Sequence, residues 1–264
     1  MQSELPLAGI GVLVTRPAAQ AQGLCNLIEQ QGGLAIRVPT IEIVPPHDIA
    51  PALVSIARLA EFDIAIFISV NAVTRGLALT TQYGPLPQQL EIAAVGKRTA
   101  QELVQKGYSP TIVPSHLFNS EGLLAAEPMQ AVAGKNILIF RGEGGRELLA
   151  DVLRQRGAHV QYAEVYRRAK PAQGLREAMR PWTAQHINAV VVTSNEGLQN
   201  FYDLALDEAL LPSVLDIPLI VVSERASALA GELGFKNEPI IADDASDAAI
   251  VSALQKAIKM NVQH

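Results

Sequence analysis

The sequence predicts an α/β fold stated twice: two similar doubly wound parallel-sheet domains from an internal duplication, joined by two extended connectors. Three observations predict it. Six short β-rich apolar runs, Val12–Val14, Ile64–Ile68, Ile92–Val95, Ile137–Phe140, Ala189–Thr193 and Leu219–Val222, are each followed by small or polar residues and then a helical pattern. Such alternation calls for a parallel sheet covered on both faces. The runs also recur in register. Gly9-Ile-Gly-Val-Leu-Val-Thr-Arg16 lies over Gly134-Lys-Asn-Ile-Leu-Ile-Phe-Arg141, and Asp63–Ser69 over Asn188–Ser194, both at an offset of 125 residues. Finally, 264 residues that are 49% apolar and 5% aromatic suit an Ala/Leu/Val/Ile-rich chain with one large domain or two ordinary ones.

Taken in order, Gly9 to Arg16 is a strand and Pro17 begins a helix with Leu24, Cys25, Leu27 and Ile28 on its apolar side. Gly32-Gly33 ends that helix, and Leu34 to Ile43 is an extended return. The runs at Ile64 and Ile92 each lead into a helix. Gly96-Lys-Arg-Thr-Ala with Gly107 pairs with Ser223-Glu-Arg-Ala-Ser with Gly234 in the second half. Asn119-Ser-Glu-Gly-Leu-Leu124 pairs with Ala245-Ser-Asp-Ala-Ala-Ile250, a helix-start signal in both places. Ile137–Phe140 is a buried strand, Arg141–Gly145 its turn, and Arg146 to Gln155 a helix with Leu148, Leu149, Val152 and Leu153 on one face. Gly157 caps it, and Val160–Val165 is a second strand leading to Tyr166-Arg167-Arg168. Glu127 to Gly134 is a short segment between the halves. Periodicity leaves open whether the halves fold as beads or exchange their first βα units.

Composition sets limits on function. A formal charge of −5 gives no general attraction for nucleic acid or an anionic membrane, so an anionic ligand would need local cations or backbone N–H groups. Cys25 is the only cysteine, which excludes an intrachain disulfide and a cysteine-based metal site. Neither a signal segment nor an apolar run of membrane-spanning length is read, and a soluble cytoplasmic protein is expected.

In a doubly wound sheet, ligands bind outside the carboxyl ends of the strands. Six loops fall there: Thr15-Arg16-Pro17, Ser69-Val-Asn71, Gly96-Lys97-Arg-Thr99, Arg141–Arg146, Ser194-Asn195-Glu-Gly197 and Ser223-Glu-Arg225-Ala-Ser227. Free N–H groups and the positive dipole end at helix starts hold anions without a fixed side chain. The plain alternative for any one loop is that its Ser, Thr or Asn only caps a helix. Gly142-Glu-Gly144-Gly145 is the strongest cradle, but it matches neither Walker A nor the dinucleotide pattern, so no nucleotide cofactor is indicated. The histidines (47, 116, 159, 186 and 264) lack metal spacing, and Asp243-Asp244 reads as a solvated turn, so no metal is expected. Tyr166, flanked by Arg167 and Arg168, is a hydrogen-bond or proton donor at neutral pH, because an ordinary tyrosine titrates near ~10. Equally, it packs against one domain with its hydroxyl on a carbonyl.

Several pieces taken together resemble one family. They are Val14-Thr-Arg-Pro17, Pro39-Thr40-Ile-Glu-Ile43, Phe67-Ile-Ser-Val-Asn-Ala-Val73, Ala94-Val-Gly-Lys-Arg-Thr-Ala100, Ser120-Glu-Gly-Leu-Leu124, Arg141-Gly-Glu-Gly-Gly-Arg146, Val165-Tyr-Arg167, Thr193-Ser-Asn195 and Ala245-Ser246. In this order, over nearly the whole chain, they resemble the uroporphyrinogen-III synthases. Ile68 stands where many relatives carry Thr, and Thr193 keeps that residue in the other half. The resemblance implies an exchanged first unit, with residues 1–38 joining 169–264 and residues 39–168 forming the other domain. Connectors at Thr40 and Tyr166 would then bridge the two. It implies a linear tetrapyrrole substrate, hydroxymethylbilane, handed over by its own synthase and closed with inversion of ring D. No cofactor, nucleic acid or membrane is implied, and a monomer is expected. Tyr166 is then the expected catalytic residue. Ser69, Thr99, Ser194, Ser223 and Ser227 would hold carboxylates, with charge from Arg16, Lys97, Arg141, Arg146 and Arg225. Thr15, Asn71, Asn195 and the backbone at Gly142 and Gly144 complete the set. The competing expectation is a non-catalytic two-lobed anion-binding module or regulatory relative.

Overall fold

The computed structural model describes residues 5–172, 174–180 and 187–261. The chain opens with β1 (Gly11–Val14), α1 (Ala18–Gln30) and β2 (Leu34–Arg37). Pro17 takes the N-cap position of α1, whose Ala21, Leu24, Cys25 and Ile28 are buried. Gly32 turns the chain out of that helix at φ +84°, a left-handed conformation that a side chain resists.

The middle of the chain forms β3 (Glu42–Val44), α2 (Ala50–Ala57), β4 (Ile64–Phe67), α3 (Val70–Thr80), β5 (Glu91–Ala94), α4 (Lys97–Gln105), α5 (Ser120–Ala125), β6 (Asn136–Gly142), α6 (Leu148–Gln155) and β7 (His159–Ala169). The remainder is α7 (Leu175–Met179), β8 (Ala189–Val191), α8 (Asn195–Asp207), α9 (Leu211–Val214), β9 (Leu219–Val221), α10 (Glu224–Glu232), β10 (Ile240–Ile241) and α11 (Asp247–Asn261). Two compact units result: Met1–Glu42 with Ala169–His264, and Ile43–Arg168.

The first unit holds a sheet of order β10-β9-β8-β1-β2, and its pairings are parallel. In order of appearance the strands run 2-1-3-4-5, a doubly wound order whose switch point falls between β1 and β8. Two apolar clusters cover its faces. One has Leu24, Cys25, Ile28 and Leu254; the other has Leu13, Phe201, Val214 and Leu219. The second unit repeats the order as β7-β6-β4-β5, with β3 added outside β7. The Ala93–Ile112 bridge extends the other edge. Its switch point lies between β6 and β4, and Phe67 stacks on Phe140 there at 4.6 Å. Again one cluster lies on each face.

Three sequence expectations are corrected. The helix expected from Arg146 begins at Leu148, because Gly144 and Gly145 sit at positive φ and the Arg141 guanidinium binds the Gly144 carbonyl. The buried face is therefore Leu149, Ala150 and Leu153, while Leu148 is exposed. Leu34 to Ile43 is not one strand but the whole of β2 and the start of β3, which lie in different sheets. The strand expected at Val160–Val165 runs further, so that Tyr166 to Arg168 belong to β7. Gly157, at φ +87°, does close α6, with Ala158 N–H reaching back to the Leu153 carbonyl. No helix among the described residues is long and apolar enough to cross a membrane.

Candidate functional site

In the second unit, the carboxyl ends of β4, β6 and β7 converge on one hydroxyl pair. Ser69 follows β4 in an extended conformation and caps α3, its Oγ accepting the Ala72 N–H at 3.1 Å. The Tyr166 hydroxyl lies 3.1 Å from the same Oγ. Between them passes the end of β6. Pairing of β6 with β7 slips at this point: Arg141 faces Glu164, but Gly142 faces Tyr166. That bulge leaves Val165 unopposed and brings two successive side chains, Val165 and Tyr166, into one apolar cluster. Tyr162, by contrast, packs with the cluster of the opposite face. The ring of Tyr166 then crosses Gly142, and a Cβ there would lie 2.7 Å from two ring carbons. Tyr166 is 4% exposed.

The loop after β6 is tied from below. Arg141 is buried, and its guanidinium donates to the Gly142 and Gly144 carbonyls and to Glu147 Oε1. It also lies 4.4 Å over the ring of Tyr162. The Tyr162 hydroxyl donates to Glu147 Oε2 at 2.5 Å. Burial, then this bond to a carboxylate, pushes the Tyr162 hydroxyl up to about 12. Hydrogen bonds from Tyr162 and Arg141 hold the Glu147 carboxyl below its ordinary range. On the loop's outer side, His47 Nδ1 lies 2.9 Å from both oxygens of Glu143 and holds that carboxyl low. The Glu143 N–H donates to the Tyr166 carbonyl at 2.7 Å. A cavity of about 210 Å³ opens beside the loop, lined by Ile68, Val95, Leu149 and Tyr162 below and by Ser120, Gly145 and Arg146 at its rim.

The sequence-predicted residues of this unit thus divide. Ser69, Gly142 and Tyr166 meet; Arg141 is an internal brace. The Gly144 N–H faces Glu164 Oε1 at 3.4 Å. Arg146 is exposed, 3.9 Å from Glu121. Lys97 lies over the Phe118 ring at 4.4 Å, while Thr99 is buried in α4 and Asn71 half-buried in α3. Arg167 Nε is buried without a hydrogen-bond partner among the described residues.

In the first unit, the strand ends are also lined by caps. Ser194 accepts the Gly197 N–H at 3.0 Å and Ser223 the Ala226 N–H at 3.2 Å. Asn195 reaches the Arg225 carbonyl at 3.4 Å, Arg225 is exposed and Ser227 is half-buried. Thr15 is buried, with its hydroxyl on the Val191 carbonyl at 2.8 Å. Arg16 is 5% exposed and pairs with Asp247 and the Ala245 carbonyl, so its charge is answered within the fold. Thr40 is fully buried and donates to the Gly197 carbonyl at 3.1 Å, taking the place at the head of α8 that Tyr166 takes at the head of α3. Sequence reading missed Asp247, Glu147, Tyr162 and the His47–Glu143 pair. Their partners lie between 6 and 231 residues away, and no local pattern signals them. Among the described residues no group of three or more His, Cys, Asp or Glu is placed to hold a metal; His186 and His264 lie outside them.

A repeated doubly wound sheet, with a hydroxyl-capped helix at each switch point, defines a duplicated α/β protein. The family model described as Uroporphyrinogen-III synthase HemD matches residues 22–252. The chain is 36% identical to the uroporphyrinogen-III synthase of Escherichia coli over 93% of this chain and all of that protein. It is 34% identical to that of Synechococcus elongatus, over 76% of this chain and 77% of that one. Among solved structures, the Helicobacter pylori uroporphyrinogen-III synthetase superposes with a TM-score of 0.60 at 17% identity, covering 95% of this chain and 99% of that one. A mutant Thermus thermophilus synthase does so at 0.59 and 16%, with the same coverage. The chain belongs to the uroporphyrinogen-III synthase family.

Proposed function

We propose that this chain closes the linear tetrapyrrole hydroxymethylbilane to uroporphyrinogen III, with loss of water and inversion of ring D. Full-length membership of the family supports this reading over a non-catalytic anion-binding module. The observation that carries the mechanism is the Tyr166 hydroxyl at the switch point, bonded to the residue that caps α3.

The chemistry asks for little more. When the hydroxymethyl C–O bond breaks, the oxygen keeps the electron pair and takes a proton from Tyr166, leaving as water. The carbon becomes a delocalised azafulvene-type cation. Ring D is attacked at its substituted position to give a spiro intermediate, which rearranges before final closure. The proton that ring closure releases restores the tyrosine. Holding a ligand with many carboxylates in the productive arrangement matters more here than a strong acid or nucleophile. Ser194, Ser223 and Ser227, with exposed Lys97, Arg146 and Arg225, are the groups we assign to those carboxylates; Ser69 is engaged with Tyr166 and Thr99 is buried. Arg16 and Arg141 we remove from that set, because both are buried and paired internally. We place the reaction in the cytoplasm, in a monomer that takes its substrate from the enzyme that makes it.

The test is a coupled assay with freshly generated hydroxymethylbilane, its oxidised products separated as porphyrin isomers I and III. Isomer III well above the uncatalysed background is expected. Tyr166→Phe should lower kcat by about 100-fold or more, the scale of a positioned proton donor. Isomer I alone from folded protein overturns the activity; unchanged kcat in Tyr166→Phe removes the tyrosine.

A further inference from the structure

We infer that Ser69 and Gly142 are positioning residues for Tyr166: together they hold its hydroxyl in a polarised hydrogen-bond chain anchored on the N-terminus of α3. The inference rests on the reading of Tyr166 as proton donor.

Three features assemble the chain. The slip in pairing between Arg141 and Gly142 places Tyr166 on the same side of the sheet as Val165, where strict alternation would have turned it to the opposite face. Gly142 then leaves the ring a path across β6. Its backbone does not have a left-handed conformation, so the glycine is explained by the ring above it and not by φ. Across that path lies Ser69, whose Oγ already accepts the Ala72 N–H.

Because Ser69 Oγ accepts from the helix, its own proton is available to the tyrosine oxygen. The order Ala72 N–H to Ser69, then Ser69 O–H to Tyr166, leaves the phenolic proton directed outward for the departing hydroxyl. Each donor in such a chain strengthens the next, and the first belongs to the positive end of a helix of eleven residues. As the phenolic proton moves to the leaving oxygen, negative charge grows on the tyrosine oxygen. Ser69 and the helix end are already oriented to meet it. Ser69 therefore acts through Tyr166, and Gly142 acts by leaving room.

A double-mutant cycle on kcat tests this. Ser69→Ala in the otherwise native chain should lower kcat at least tenfold, and Ser69→Thr, which keeps both hydroxyl and cap, should restore most of it. In the Tyr166→Phe background the same Ser69→Ala change should leave kcat within twofold. If the two losses multiply, Ser69 acts independently and the inference is overturned, even though Tyr166 remains the donor. If Tyr166→Phe alone changes nothing, it is the reading of Tyr166 that falls. Gly142→Ala keeps every functional group and only displaces the ring. It should lower kcat at least tenfold in the native chain and by less than twofold in the Tyr166→Phe background. This second route covers the case in which Ser69→Ala fails to fold. Equal losses from Gly142→Ala in both backgrounds would again refute the inference.

Discussion

Replacing Asp247 with Asn measures how firmly the first unit depends on one pair. The Arg16 side chain is 4% exposed and the Asp247 side chain 30% exposed. Breaking a fully buried pair by removing one partner costs about 3–5 kcal/mol, but Asp247 is partly solvated and Arg16 keeps the Ala245 carbonyl, so about 2–3 kcal/mol is expected. Loss of a negative charge from the first turn of α11 is part of that sum. The fully buried thiol of Cys25 offers a local assay, because α1 packs against α11 and the chain has no second cysteine. Under native conditions a thiol reagent reaches it only when the unit opens. At one tenfold step per 1.36 kcal/mol, labelling should accelerate about 30- to 150-fold. The melting temperature should fall by about 4–12 °C, taking 2–4 °C per kcal/mol. Labelling within threefold of the native rate would refute the reasoning and return Arg16 to the list of ligand-binding cations.

Further perturbations address the second unit and, at Gly231, the first. Glu147→Gln removes the carboxylate that Tyr162 donates to, so its titration, followed by tyrosinate absorbance, should move below about 12. A tyrosine raised on folding contributes stability in full below its ordinary value near ~10, and that contribution disappears as pH rises toward about 12. Native protein should therefore weaken across that window, and Glu147→Gln should weaken less; equal slopes would contradict it. Gly122→Ala and Gly231→Ala should diverge in denaturant melts. A Cβ at Gly122 would run into the Leu117 carbonyl at the start of α5, with a loss of about 1–3 kcal/mol or more. At Gly231, inside α10, a Cβ meets nothing within 4 Å, and alanine should stabilise by about 0.5–1 kcal/mol.

Much of the architecture was legible because its signals are local. Val12–Val14 and Ile64–Phe67 stand out as strands, since burial on both faces leaves no polar alternation. Ser69, Asn119 and Ser194 cap helices as their residue types announce. Ile240–Ile241 was not legible, because two residues carry no period. Nor was the fate of the arginines. Arg16 lies just beyond β1 and Arg141 near the end of β6, the position where a ligand-binding cation is also expected. Asp247 lies 231 residues from the first, and Glu147 carries no pattern tying it to the second. Tyr166 was singled out for its chemistry, but its contact with Ser69 spans 97 residues and depends on a slipped register that no sequence period encodes. The same applies to Gly142: the sequence presents it as part of an anion cradle, whereas its place in the fold makes it a gap under an aromatic ring.

The insertion of the middle unit also sets a clock. Strand β1 finds its neighbour β8 only after some 177 further residues, as the bond from the Gly11 N–H to Asn188 shows. At a ribosomal pace of about 5–20 residues per second, β1 waits on the order of ten seconds or more for that neighbour. Ile43–Arg168 emerges as one continuous segment in the meantime, and domains of its kind fold in well under that time. The part of the molecule made first is thus completed last. During the wait, four residues that end fully buried, Gly11 to Val14, have an unpaired edge open to other nascent chains. The outer strand β3 and its neighbour β7 are the first and last strands of the inserted unit, so its two ends lie side by side. The insertion can therefore close on itself early, without waiting for the sheet that it interrupts.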